Sequence, residues 1–196
     1  MALLSRDEFD ALEFGAARTG DHRDAALQMS QLVSVCTQTA GMTRAEAHLR
    51  AGEQWLLADD PSAAVDCFQR SLEAGGESFV DARVALARAL YLLSDDDGAR
   101  RLVDQLEADG RGDPRKCDLV AELLFEQSDL IGALDWANTG VELCLAAAGG
   151  PGAFVPRQLP PAVDQTELRM LLSLRYRIRN DMGLDEDEYD KLLDDL

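Results

Sequence analysis

Apolar residues along this chain recur every three to four positions rather than in alternation, the period of amphipathic helices packed on one another. Start signals punctuate the pattern. Ser5 with Glu8, Thr43 with Glu46 and Asp164 with Glu167 are capping pairs, and Asp60-Pro61 and Asp113-Pro114 set a capping acid before a first-turn proline. Ser78 with Asp81, the Ser94–Asp97 run, Ser128-Asp129 and Asp185 add further starts, and stops follow at Gly20, Gly41, Gly75-Gly76, Gly110, Gly149-Gly150 and Gly183. These signals predict helices over 5–18, 22–39, 43–58, 61–74, 78–93, 96–109, 114–127, 129–147, 164–182 and 185–195. Residues 148–163 are rich in Gly and Pro and form the one long loop, which Phe154, Val155 and Leu159 are expected to hold against the body.

The helices repeat. Gly52, Ala87 and Ala121 fall midway along the first helix of successive pairs, and Ala64, Ala99 and Ala133 fall early in the second. Large residues follow the first set at Trp55, Leu90 and Leu124; Phe68, Val103 and Ala137 follow the second. A small residue lets two backbones approach, and a bulky one a turn later fills the gap beyond. Three pairs share this design, at 45–78, 80–113 and 114–147, and the pair at 5–39, with Ala25-Ala26, is a divergent terminal repeat.

The run Ala51-Gly52, Trp55, Ala64, Phe68 and Ser71 resembles the tetratricopeptide repeat (TPR) family. Leu86-Ala87, Leu90, Ala99, Val103, Leu106 and Val120-Ala121, Leu124, Ala133, Ala137, Gly140 are weaker copies. The consensus proline at each repeat end is absent. The resemblance implies an all-α, right-handed superhelix of antiparallel helix pairs over 1–147, with C-terminal helices at 164–196 packed on the last repeat. It also implies a concave groove lined by the first helices. Their faces carry Glu46, Leu49, Glu53, Leu56 and Leu57, then Asp81, Val84, Arg88, Tyr91 and Leu92, then Arg115, Asp118, Glu122, Phe125 and Glu126. The partner-binding candidates are Leu49, Glu53, Leu56, Val84, Arg88, Tyr91, Asp118, Glu122 and Phe125, a mixed surface suited to a peptide with apolar anchors and some positive charge. The alternative is structural: Arg88 neutralises Glu53 and Glu122, and Tyr91 and Phe125 belong to the core. Some family members clamp a chaperone's C-terminal carboxylate with Lys and Asn along this groove. Leu49, Glu53, Asp118 and Glu122 stand in those places, so no clamp is expected.

Residues 167–182 are amphipathic: Leu168, Leu171, Leu172, Leu174, Ile178 and Met182 share one face. Arg169, Arg175, Arg177 and Arg179 form a basic ridge, followed by an acidic run from Asp185. Either the arginines pair with acids of the body, or the ridge docks an acidic partner or a second copy of the chain.

Charge narrows the partners. At a net −18 and pI near 4.3 the chain repels nucleic acid and anionic membranes. No basic n-region precedes an apolar run, and no apolar stretch reaches membrane-spanning length, so the cytoplasm is expected. Two lysines against many arginines point to a high-GC bacterial source. Cys36, Cys67, Cys117 and Cys144 lie far apart at apolar-periodic positions and read as buried thiols. His22 and His48 have no ligand-spaced partners, His48 standing at a packed position, and Asp95-Asp96-Asp97-Gly98 lacks the ladder of a calcium loop. No nucleotide or nucleophile motif appears. The expectation is a protein- or peptide-binding module, monomeric or homodimeric, with no catalytic residues, cofactor or metal. The alternative is a regulatory domain holding a small ligand between helices.

Overall fold

The computed structural model describes residues 3–36, 38–75, 80–147 and 165–195. The candidate loop at 148–163, the Asp164 cap, Ser78, Gly76 and Gly149-Gly150 lie outside these residues. The fold is all-helical with packed adjacent helices. Among the described residues it comprises α1 (Arg6–Thr19), α2 (His22–Val35), α3 (Arg44–Leu57), α4 (Pro61–Ala74), α5 (Ala82–Leu92), α6 (Asp96–Ala108), α7 (Pro114–Glu126), α8 (Leu130–Ala147) and α9 (Gln165–Asp181). The capping acids and hydroxyls act as the sequence predicts. Ser5, Thr43, Asp60 and Asp113 each accept a backbone N–H of the first turn of α1, α3, α4 and α7.

Two expected helices end differently. The helix expected over 22–39 stops at Val35, and Gln38–Ala40 forms a short strand, β2, paired parallel with β1 (Leu3–Ser5). Arg44 causes the stop by donating to the carbonyls of Val33 and Cys36 at 2.9 and 2.7 Å, which satisfies the open end of α2. The pairing also carries Leu4 into the core. At the C-terminus, residues 185–195 are not one helix; only Asp190–Asp195 form a turn of 3-10 helix, because Asp187 and Asp190 turn back onto α9.

The chain divides into two compact units, Met1–Gln105 and Leu106–Leu196, and the division falls inside the pair expected at 80–113. In the first unit, Leu4, Phe9, Met29, Trp55, Phe68 and Leu86 form the centre of one core. Ala25 and Ala26 of the divergent pair are buried. In the second, α7 packs on α8 and α8 on α9, with Val141, Leu168, Leu171 and Leu192 at a core of their own.

Small residues stand where backbones meet. A Cβ on Gly52 would lie 2.7 and 2.9 Å from Phe68 Cδ1 and Cζ and nearer still to Cε1. Ala64, Ala87, Ala99, Ala121 and Ala133 are completely buried. The backbone repeats as well. Asp59, Ser94 and Ser128, separated by 35 and 34 residues, all have positive φ near 60°. Each time the next N–H returns to a carbonyl five residues back: Asp60 to Trp55, Asp95 to Leu90, Asp129 to Leu124, at 2.9 to 3.0 Å. The same three aspartates then accept the N–H groups of Ala63, Gly98 and Gly132. One left-handed residue closes a helix and the next residue starts another, three times over. Asp95, part of the run that imitates a calcium loop, is such a cap.

All four cysteines are buried and none forms a disulfide. Burial holds the Cys117 thiol up at about 11, so it is a packing residue rather than a nucleophile. His48 is half-buried, and burial with nearby Arg44 and Arg70 lowers its ring to about 4, keeping it neutral.

Candidate functional site

In the first unit the face of α3 divides by depth. Leu49 is buried, Glu53 and Leu56 are half-buried, and Leu57, one turn past Glu53, is 61% exposed. On α5, Val84 is buried, Arg88 and Tyr91 are half-buried, and Leu92 is 62% exposed. Leu49 and Val84, expected to line a groove, are thus buried; Leu57 and Leu92, the last residues of two helices that touch one another, carry exposed apolar surface.

Beside this face lies a cavity of about 350 Å³ lined by Arg6, Asp10, Glu46, Leu49, Arg50, Glu53 and Val80. Helices α1 and α3 supply its charged groups. Arg6 pairs with Glu46 at 2.7 Å and donates to the Gly41 carbonyl. Arg50 pairs with Asp10 at 2.5 Å and twice with Glu13 at 2.7 Å, and its guanidinium stands 5.5 Å from the centre of the Phe9 ring. The hydrogen bonds that Arg50 donates to Glu13 hold it even more firmly protonated than usual. Its Nη1, buried, has no hydrogen-bond partner. Glu53 makes no hydrogen bond or ion pair among the described residues. Burial, followed by the charge of Glu13, raises its carboxyl above the ordinary range against the opposing pull of Arg50 and Arg88. The first-helix repeat pattern announces Leu49 and Glu53. It does not announce Arg6, Asp10, Arg50 or Val80, whose meeting depends on how α1 crosses α3.

In the second unit, Asp118, Glu122 and Phe125 of α7 are half-buried. Burial, then the charges of Glu122 and Glu167, raise Asp118 to about 6. A carboxyl raised in the folded state opposes folding above that value, and the opposition disappears once both states are protonated below about 4. Asp118→Asn is therefore expected to raise the Tm at pH 7.5 by about 2–4 °C, the equivalent of about 1 kcal/mol after solvent screening of a half-exposed group. Thermal melts from pH 7.5 to 4 check this: the gain should shrink as pH falls, and a gain constant with pH contradicts it.

The four arginines of α9 do not make one ridge. Arg169 is exposed, and Arg177 lies over the Phe125 ring at 5.1 Å. Arg175 turns inward and is buried, where it donates to Asn138, Asp187 and Asp190. Arg179 bonds Asp190 at 3.0 Å and Asp187 at 3.2 Å. Arg175 and Arg179 are thus spent on the chain's own acidic run, because η1 (Asp190–Asp195) folds back on the helix that carries them.

Among the described residues no three His, Cys, Asp or Glu side chains are grouped to hold a metal ion, and no helix is long and apolar enough to cross a membrane. No protein-family model matches the chain, and no curated protein matches it.

Proposed function

We propose that the chain is a binding module whose α3–α5 face holds a segment of another protein. In this reading the helix pairs are TPR-like repeats of a right-handed superhelix, and α3 and α5 are inner helices. The threefold recurrence of the left-handed turn at Asp59, Ser94 and Ser128 supports the repeat assignment. One observation carries the binding assignment: Leu57 and Leu92, 35 residues apart at equivalent helix ends, are largely exposed on helices that are otherwise well buried. Large apolar side chains held in register at the surface are suited to anchor a partner. The acidic groups beside them and the net charge of −18 favour a segment that carries positive charge. The proposal includes the cytoplasm as its location and gives the chain no catalytic role.

Photo-crosslinking amino acids placed at Leu57, Leu92 and, as control, the exposed Gln69 of α4 test this in source cells. The expected result is one shared protein adduct from positions 57 and 92 and none from 69. Equal adducts from all three, or none from 57 and 92, contradict it.

A further inference from the structure

We propose that the α1–α3 cavity receives a Lys or Arg side chain of the bound segment, with its cationic head at Glu53 and its aliphatic stem along Leu49 and Val80. The inference rests on the α3–α5 face being the binding surface and names what that face selects. Arg6 is committed to Glu46 and Gly41, and Arg50 to Asp10 and Glu13. Among the described residues Glu53 alone of the lining acids makes no hydrogen bond or ion pair, with only the more distant positive charges of Arg50 and Arg88 acting on it. Counting Glu13 and Arg88, whose charges also reach Glu53, four carboxylates face three guanidinium groups here, so the uncancelled charge is negative.

An anion fits less well. Arg50 Nη1, which has no hydrogen-bond partner among the described residues, is buried, and the rest of that guanidinium is saturated by Asp10 and Glu13 beside Phe9. A small apolar molecule fits less well too, since five of the seven lining residues are charged. The volume, about 350 Å³, admits one long side chain. Leu57 lies four helical positions beyond Glu53, a rise of about 6 Å, so a cation in the cavity and an apolar side chain on Leu57 are spaced like near neighbours of one peptide. Burial raises the Glu53 carboxyl, and a cation beside it offsets that cost by favouring the ionised form.

The test uses the full chain at 150 mM salt and fluorescein-labelled, Gly-spaced peptides with two Leu flanking one variable position. That position is Lys, Arg, norleucine, Gln or Glu, and binding is read by fluorescence anisotropy. The Lys and Arg peptides are expected to bind about tenfold tighter than the norleucine and Gln peptides, and the Glu peptide weakest. Glu53→Gln should abolish that preference, while Asp104→Asn, the same charge change at an exposed site, should leave it intact within twofold. Equal affinities across the series, or equal effects of the two substitutions, overturn the cation site. If Leu57→Asp abolishes binding of every peptide while Glu53→Gln changes nothing, the cation site falls and the α3–α5 face stands. If no peptide binds, both fall.

Discussion

Gly52→Leu is expected to destabilise the first unit by about 2–3 kcal/mol. The first added carbon already lies within 3 Å of three atoms of the Phe68 ring. Phe68 is completely buried at the centre of its core, so the ring has nowhere to go and α3 must move off α4. Leucine recovers up to about 1 kcal/mol of helix propensity, which does not offset the clash. The companion variant Gly52→Leu/Phe68→Ala makes room for the new side chain and should restore part of the loss. The two tryptophans allow a clean readout. Trp55 reports the first unit and Trp136 the second, so urea unfolding of the Trp136→Phe background isolates the effect. An unchanged midpoint would mean that Gly52 is not a helix–helix contact.

Arg175→Ala is expected to cost the second unit about 3–5 kcal/mol. The Arg175 side chain is only 4% exposed and that of Asp190 2%, and their 2.6 Å bond is the inner link of a cluster completed by Asp187, Arg179 and Asn138. Removing one guanidinium leaves a buried carboxylate without its main partner. It also releases the Tyr189 ring beneath Arg175 and, with it, the hold on Leu192 in the core. Removing charge from both sides, as in Arg175→Met with Asp187→Asn and Asp190→Leu, should cost much less, because no charge is then stranded. Urea unfolding followed through Trp136 in a Trp55→Phe background checks both; similar losses in the two variants would contradict the account.

The same cluster sets a pH response. Burial alone would raise Asp187, but hydrogen bonds from Arg175 and the Asp190 backbone, with the charges of Arg175 and Arg179, pull it below the ordinary carboxylate value. A depressed folded pKa gives stability that is complete above the unfolded value of about 4 and is lost as pH falls through the folded one. The C-terminal turn should loosen in acid below about pH 4.

Local signals in the sequence map onto the structure because they act over one helical turn. Ser5, Thr43, Asp60 and Asp113 cap where their spacing says, since a cap needs only an N–H two or three residues on. Gly52, Ala64 and Ala87 mark tight contacts because backbone approach needs missing atoms whatever the surrounding shape. Features that depend on distant segments are not written this way. The β1–β2 pair joins residues 35 apart through three-residue strands too short to show a period. Arg50 reaches Asp10 and Glu13 across 40 and 37 positions. Leu49 and Val84 share a helical stripe with Glu53 and Arg88, and a helix packed on more than one side buries part of any stripe. The exposed ends at Leu57 and Leu92 emerge only when the helices are placed side by side.

We propose that the α3–α5 face of the first unit holds a peptide. Methyl NMR of the full chain, with Leu, Val and Ile labelled and titrated with the Leu-Lys-Leu peptide, tests it most directly. Saturable shifts are expected at Leu56, Leu57, Val80 and Leu92, with Ile131 and Leu145 of the second unit unmoved. Shifts confined to the second unit, or none at Leu57 and Leu92 at saturation, would contradict it.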